Sequence, residues 1–315
     1  MNALREPTGQ LRQRLEAAIE RLNGVVLGKD REIRLAIACL LARGHLLIED
    51  IPGVGKTTLA HALARVLGLG YQRIQFTSDL LPADVIGLSV YDRGTGRFQF
   101  HTGPVFAQLV LADEVNRATP KAQSALLEAM EERQVTMDGA SHPLPEPFFV
   151  VATQNPAYQV GTFPLPESQL DRFLMRIELG YPAASQERAL LRGRDRRDLL
   201  AEVPAALDPE AILELQKQVP TLHASDALLD YVQSLARASR DGTLFAAGLS
   251  TRAVISLLRA AQAWALLHDH AGVLPEDLQA VLPAVVGHRL RPREAADRRG
   301  PAELARALLE AVPIP

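Results

Sequence analysis

Two short stretches carry residues that could handle a phosphate chain. The first is IEDIPGVGKTTLA, residues 48–60. Gly53 and Gly55 would let the backbone come close to phosphate oxygens. Lys56 would reach the β and γ phosphates, and the Thr57 hydroxyl would hold Mg²⁺. The residues lining such a cradle run from Gly53 through Val54, Gly55, Lys56 and Thr57 to Thr58. The second stretch is LVLADEVNR, which ends an apolar run on Asp113 and Glu114. One carboxylate there can hold Mg²⁺ through water, and the next can polarise an attacking water. An acidic turn after a strand would not explain why both motifs close separate apolar strands. In a parallel sheet those ends are where ligands bind. The expected ligand is a nucleotide.

One feature departs from the usual loop. The pattern Gly-x-x-x-x-Gly-Lys-Ser/Thr puts a glycine at position 50, where Asp50 stands. Aspartate tolerates unusual backbone angles better than most residues, so the turn is expected to survive.

The elements needed to position these residues can be read from periodicity. The cradle sits between an apolar run at 45–49 and a helical pattern with Leu59, Leu63 and Leu67 in register. A helix N-terminus at that point favours an anion. Further strands are expected at 71–76, 109–113, 148–153 and 174–179. Strands alternating with helices, each nearly continuously apolar, predict a parallel sheet covered on both faces. An amphipathic helix is expected at 11–22, followed by a second helix ending near Gly44 as its C-cap. Thr119 and Pro120 read as the N-cap and first position of another helix. Two segments interrupt the rhythm and read as hairpins. One is GLSVYDRGTGRFQF; the other is RQVTMDGASHPLPEPFF, with its tip at 138–142. Beyond Pro182 the strand signal stops and helical patterns dominate. The reading is therefore an α/β nucleotide domain over residues 1–182 and an all-helical domain over 183–315.

Composition bounds the function classes. The chain has 315 residues, a net charge of −3, 47% hydrophobic and 23% charged residues, as an ordinary globular protein does. A mildly acidic chain provides no electrostatic footprint for nucleic acid. Acidic residues interrupt the basic clusters at 192–198 and 289–299. The single cysteine, Cys39, lies in an apolar helical run and reads as a packed hydrophobe. No apolar run is long enough for a membrane span, and the N-terminus lacks a signal-peptide core. The cytoplasm is the default.

The segments VVLGKDREI, LLIEDIPGVGKTTLA, QFTSDLLPADVIG, TGPVFAQLVLADEVNRATPKAQSALLEAMEERQVT, VATQNPAYQVGTFPLPESQLDRFLMRI and STRA follow one another in order. Together they resemble the AAA+ ATPases, and more narrowly the MoxR family. The two hairpins resemble the helix-2 insert and pre-sensor-1 insert of one AAA+ clade, shared with magnesium chelatase subunits and MCM helicases. The resemblance implies ATP and Mg²⁺ as cofactors and a homo-oligomeric ring, a hexamer, with active sites between subunits. It implies a chaperone-like motor that remodels or matures client proteins beside a partner carrying a von Willebrand A domain. It also assigns residues. Asn155 matches sensor 1, which positions the attacking water; alone it reads as a cap before Pro156. Arg172 matches the arginine finger that reaches a neighbouring subunit's γ-phosphate; alone it reads as an ion-pair partner of Asp171. Arg252 matches sensor 2, touching the same phosphates in cis. Alone it reads as an exposed first-turn arginine, which gains nothing from the helix dipole. Val26 and Gly28 match the segment lining the adenine, though they read equally as core. Arg117 is typical of the family without an assigned role. The rival readings are a magnesium-chelatase-type metal-insertion subunit and a nucleic-acid motor of MCM type. The second needs basic inserts, and the tip MDGASHPLPEP has no Lys or Arg. The insert tips are expected to carry little apolar area, so a client would need a partner to hold it.

Overall fold

A computed structural model describes residues 8–94, 96–156, 163–193, 195–294 and 299–314. The stretch 157–162, inside the VATQNPAYQVGTFP segment, lies outside the described residues, as do 1–7 and 295–298. The chain opens with α1 (Thr8–Val25) and α2 (Asp30–Leu41), then β1 (Leu46–Glu49), α3 (Lys56–Val66), β2 (Tyr71–Gln75) and α4 (Pro82–Ile86). A hairpin of β3 (Gly87–Asp92) and β4 (Arg97–Thr102) precedes β5 (Leu109–Asp113) and α5 (Pro120–Glu132). A second hairpin, β6 (Gln134–Met137) and β7 (Ala140–Pro143), precedes β8 (Phe149–Gln154), α6 (Glu167–Leu170) and β9 (Met175–Ile177). Helices follow: α7 (Ala184–Arg192), α8 (Arg196–Glu202), α9 (Pro209–Gln218) and α10 (Asp226–Arg240). The chain then runs through β10 (Phe245–Ala247), α11 (Thr251–Leu267), α12 (Pro275–Val286), β11 (Arg291–Pro292) and α13 (Pro301–Glu310).

The five principal strands lie in the order β2-β5-β8-β1-β9. β5 pairs in parallel with β2 and with β8, placing Leu109 beside Phe149 and Asp113 beside Gln75. Every residue of β5 is buried, as are the first five of β8, so their unbroken apolar runs suit central strands. β2 departs from the expected continuously apolar strand. It lies at the sheet edge, and only Ile74 is buried. Its polar residues, Arg73 and Gln75, are therefore available to the site.

Two compact units form. The first comprises Met1–Ile33, Leu47–Leu165 and Glu178–Leu213; the second comprises Arg34–Leu46, Pro166–Ile177 and Glu214–Pro315. In the second unit α11 packs on α12, with Leu257, Leu278, Val281 and Leu282 fully buried. It also holds a short antiparallel pair, β10 with β11, too brief to register as a sequence pattern. Cys39 is buried, and burial pushes its thiol up, which leaves it unreactive. Among the described residues no helix is long and apolar enough to cross a membrane.

Three local expectations need correction. Both hairpins form with antiparallel register, but residues 140–143 are the return arm of the second, not its tip. The tip is Asp138-Gly139, both with positive φ, as a two-residue hairpin turn demands. The first hairpin is not poor in apolar surface. Phe98 is 70% exposed and Tyr91 52%, with their rings edge to face at 5.3 Å. Alternation placed these residues on a strand but could not say that none of the described residues covers them. Finally, Thr119 stands at the N-cap of α5, yet its side chain makes no capping bond.

The end of α2 also differs. Arg43, not Gly44, takes the left-handed conformation, with φ 60°. Gly44 is required for space: a Cβ there would lie 2.3 Å from the Leu174 Cβ. Gly44→Ala should therefore destabilise the chain by about 1–3 kcal/mol, the usual cost of overpacking. Arg43→Gly should cost less, because it relieves a left-handed non-glycine residue. Chemical denaturation of the two variants checks the order; equal stability would refute the steric account.

Candidate active site

The first unit delivers three loop starts from the carboxyl ends of β1, β5 and β8, the outcome expected of a parallel sheet with crossovers. After β1 the chain turns through Gly53 and Gly55, at φ 86° and 97°. An added Cβ would meet nothing within 4 Å at either, so the backbone angle, not space, demands glycine. Helix α3 begins at Lys56, with no side chain capping it. Val54 and Thr58 are half-buried, and Thr57 is exposed.

Asp50 is not among the residues with left-handed backbone, so conformational tolerance is not its role. Its carboxylate is a staple instead. One oxygen accepts the Ile51 amide at 2.7 Å. The other accepts the amides of Leu179 at 2.7 Å and Gly180 at 2.6 Å. Lys29 grips the same segment, donating to the carbonyls of Leu179 and Tyr181. A glycine at position 50 could bend the loop but could not make these bonds.

Lys56 is buried. Its ammonium donates to the carbonyls of Asp50 and Ile51, and to Asn155 Oδ1 at 3.3 Å. Burial lowers its pKa, and the carboxylates of Asp50, Asp113 and Glu114 oppose that shift.

Asp113 is also buried, and four donor bonds fix it. Thr153 donates to Oδ1 at 2.6 Å. Arg73 donates to Oδ2 through Nε at 3.1 Å and Nη2 at 2.7 Å, and the Thr57 hydroxyl lies 3.4 Å from the same oxygen. Glu114 follows with left-handed backbone, φ 57°, and its amide donates to Thr153 Oγ1 at 2.8 Å. Its carboxylate accepts Asn155 Nδ2 on one oxygen and Gln75 Nε2 on the other, both at 3.1 Å. Arg117 stands 3.2 Å away. Asn155 is thus more than a cap before Pro156, for its one amide group joins Lys56 to Glu114.

The structure brings together Lys56, Thr57, Asp113, Glu114 and Asn155. Three further residues escaped the sequence reading: Arg73, Gln75 and Thr153. Thr153 was detectable in principle, as a polar residue at the end of an otherwise apolar strand. Arg73 and Gln75 alternate on β2, which marks an edge but not which carboxylate they meet. Val26 is buried beyond the end of α1, and Gly28 is left-handed with the Gln186 side chain against it. Arg172 follows α6 and Arg252 lies in the first turn of α11, both in the second unit.

The donor set fits Mg²⁺. That ion keeps several waters and takes one or two carboxylates plus substrate phosphates, not an all-protein cage. Thr57 and Asp113 supply a hydroxyl and a carboxylate in contact, and no cluster of three or more His, Cys, Asp or Glu suited to a metal exists among the described residues. The arrangement can bind a polyphosphate at a helix N-terminus and hold a carboxylate where water would attack.

Known proteins share this chain's pattern. A family model for the ATPase family associated with various cellular activities matches residues 45–175, and an AAA lid domain model matches residues 237–310. YeaC of Bacillus subtilis is 43% identical over 96% of this chain and 95% of its own length. Chaperone MoxR1 of Mycobacterium tuberculosis is 38% identical over 96% of this chain and 82% of its own. Protein MoxR of Paracoccus denitrificans is 38% identical over 93% and 94%. Among solved structures, a candidate ATPase from Cytophaga hutchinsonii superposes with a TM-score of 0.89 at 36% identity, covering 98% of this chain and 97% of that one. An MCM homolog from Methanopyrus kandleri shares the fold, with a TM-score of 0.60 at 17% identity over 99% of this chain and 64% of that one.

Thr153 offers a direct test of the site's scaffold. Thr153→Val keeps the shape but leaves Asp113 Oδ1 and the Glu114 amide without their shared hydroxyl. It should cost about 1–3 kcal/mol. Thr153→Ser keeps the hydroxyl and should cost about 1 kcal/mol, the loss of one methyl. Denaturant midpoints should rank wild type, Ser, then Val; Val equal to wild type would contradict the bridge.

Proposed function

The chain belongs to the MoxR family of AAA+ ATPases, and we propose that it hydrolyses MgATP in a ring whose active sites are completed by neighbouring subunits. The observation that carries this reading is the Asn155 amide, hydrogen-bonded to Lys56 on one side and to Glu114 on the other. That bridge supports a geometry in which the phosphate end and the water-activating end of one site share a single positioning group.

In this reading residues 53–58 cradle the triphosphate, with Lys56 on the β and γ phosphates. Thr57 and Asp113 would hold Mg²⁺, which when bound would neutralise charge on phosphate oxygens. Glu114 takes the proton from the attacking water, which Asn155 orients. Arg252 meets the phosphates from the same subunit, and Arg172 meets them from the next. Charge grows on the phosphoryl oxygens as transfer proceeds, so a finger arginine contributes about 10³–10⁵-fold in rate. Val26 and Gly28 line the adenine.

Glu114→Gln should keep ATP bound while turnover falls by about 10²–10⁴-fold, the usual contribution of a general base. Lys56→Ala should weaken ATP binding itself. Calorimetric titration and phosphate release separate the two; near-wild-type turnover by Glu114→Gln would remove Glu114 from its role.

The motor acts on a protein client with a partner that carries a von Willebrand A domain. Family membership supports the partner, and the exposed Tyr91 and Phe98 of the first hairpin offer a surface to engage a protein. A pull-down with Glu114→Gln protein in ATP should enrich such a partner, and Mg²⁺ chelation should release it. Enrichment of DNA-bound factors with DNA-stimulated ATPase would replace this reading with a nucleic-acid motor.

A further inference from the structure

The side chain of Arg289, just beyond α12, is 6% exposed and directs its donors mainly at one short segment. Nε donates to Asp171 Oδ1 at 2.6 Å. Nη2 donates to the carbonyls of Asp171 at 3.1 Å and Phe173 at 2.7 Å. Nη1 donates to the carbonyl of Leu174 at 3.2 Å and to that of Val285. The bonds fall on both sides of Arg172. The segment needs such support. Helix α6 has only four residues, and a single turn does not fix the residues after it. The far oxygen of Asp171 lies 3.4 Å from the Ser250 hydroxyl, which caps α11 by accepting the Ala253 amide at 3.1 Å. Arg252 sits in the first turn of that helix.

Packing does not explain an arginine here. An apolar side chain would fill the volume without bringing five donors and a charge into a buried site. Burial acts to strip the proton from Arg289, and Asp171 opposes it. What the guanidinium supplies is a rigid fork that reads three carbonyls and one carboxylate of a single turn. Lysine, a single point of charge, cannot reproduce that fork.

We propose that Arg289 is a positioning residue for Arg172: it fixes the chain on either side of the finger. This rests on the reading of Arg172 as an arginine finger acting in trans. Arg289 then serves the neighbour's active site, not its own, although it touches neither nucleotide.

The test uses the full-length ring and mixtures of variants. Arg289→Lys should bind ATP within about twofold of wild type and lose about tenfold or more in turnover, as a misplaced group does. Mixed with Glu114→Gln protein, it should regain activity, because Glu114→Gln subunits lend intact fingers to sites that retain Glu114. Mixed with Arg172→Ala protein, it should regain nothing, since both lack a working finger. Recovery with both mates would reveal a fold repaired by co-assembly, and recovery with neither would place the defect in cis; both outcomes overturn the proposal. The Arg172→Ala and Glu114→Gln mixture is the control. Failure there removes the finger reading itself, whereas failure of the Arg289 mixture alone removes only the positioning role. Should Arg289→Lys not fold, Asp171→Asn takes its place in the same mixtures, with the same expected pattern and the same refutations.

Discussion

A carboxylate removed from water needs donors in place of that water, and Asp113 is such a carboxylate. Its donors come from three directions: Arg73 on β2, Thr153 on β8 and Thr57 on α3. Those elements must therefore end at one level, which the parallel register of β2, β5 and β8 enforces. The same arrangement leads to the next residue. Thr153 accepts the Glu114 amide while donating to Asp113, so one hydroxyl holds the left-handed turn that aims Glu114. The cost of the strained backbone, about 1–3 kcal/mol, is offset by bonds that a relaxed turn would forgo.

The second constraint is Lys56. A buried ammonium is costly unless charges compensate it, and the shift toward its neutral form is opposed by Asp50, Asp113 and Glu114. The lysine therefore sits in a negative field that suits a cation and would by itself repel a triphosphate. The N-terminus of α3, which begins at Lys56, favours an anion within that field. Asp50 belongs to this account as more than a source of field. Its carboxylate ties the loop to residues 179 and 180, so the phosphate loop and the chain leaving β9 share an anchor.

Much of the fold was written in periodicity, because buried parallel strands are nearly pure apolar runs. β1, β5 and β8 needed no other information. β2 was harder. Edge position exposes most of its residues, and alternation does not report which neighbour is missing. The site was legible where spacing encodes chemistry, as at Gly55-Lys56-Thr57 and Asp113-Glu114. It was illegible where partners meet only through tertiary register: nothing local names the partners of Arg73 and Gln75, and Thr153 stood out only as a polar residue ending an apolar strand. Gly44 shows the same limit at small scale. Its place near a helix end suggested a cap, whereas the packing of Leu174, 130 residues away, is what excludes a side chain. Asp50 was noticed as an oddity, but its three amide partners could not be foreseen from the loop alone.

The proposed function rests on a single network that runs from Lys56 through Asn155 to Glu114 and is anchored through Thr153 at Asp113. A crystal structure of the Glu114→Gln protein with ATP and Mg²⁺ tests it most directly. The account predicts that Lys56 Nζ leaves the carbonyls of Asp50 and Ile51 for the phosphates, while Asp113 keeps its bonds to Arg73 and Thr153. Phosphates bound away from residues 53–58, or Asp113 released from Arg73 and Thr153, would contradict it.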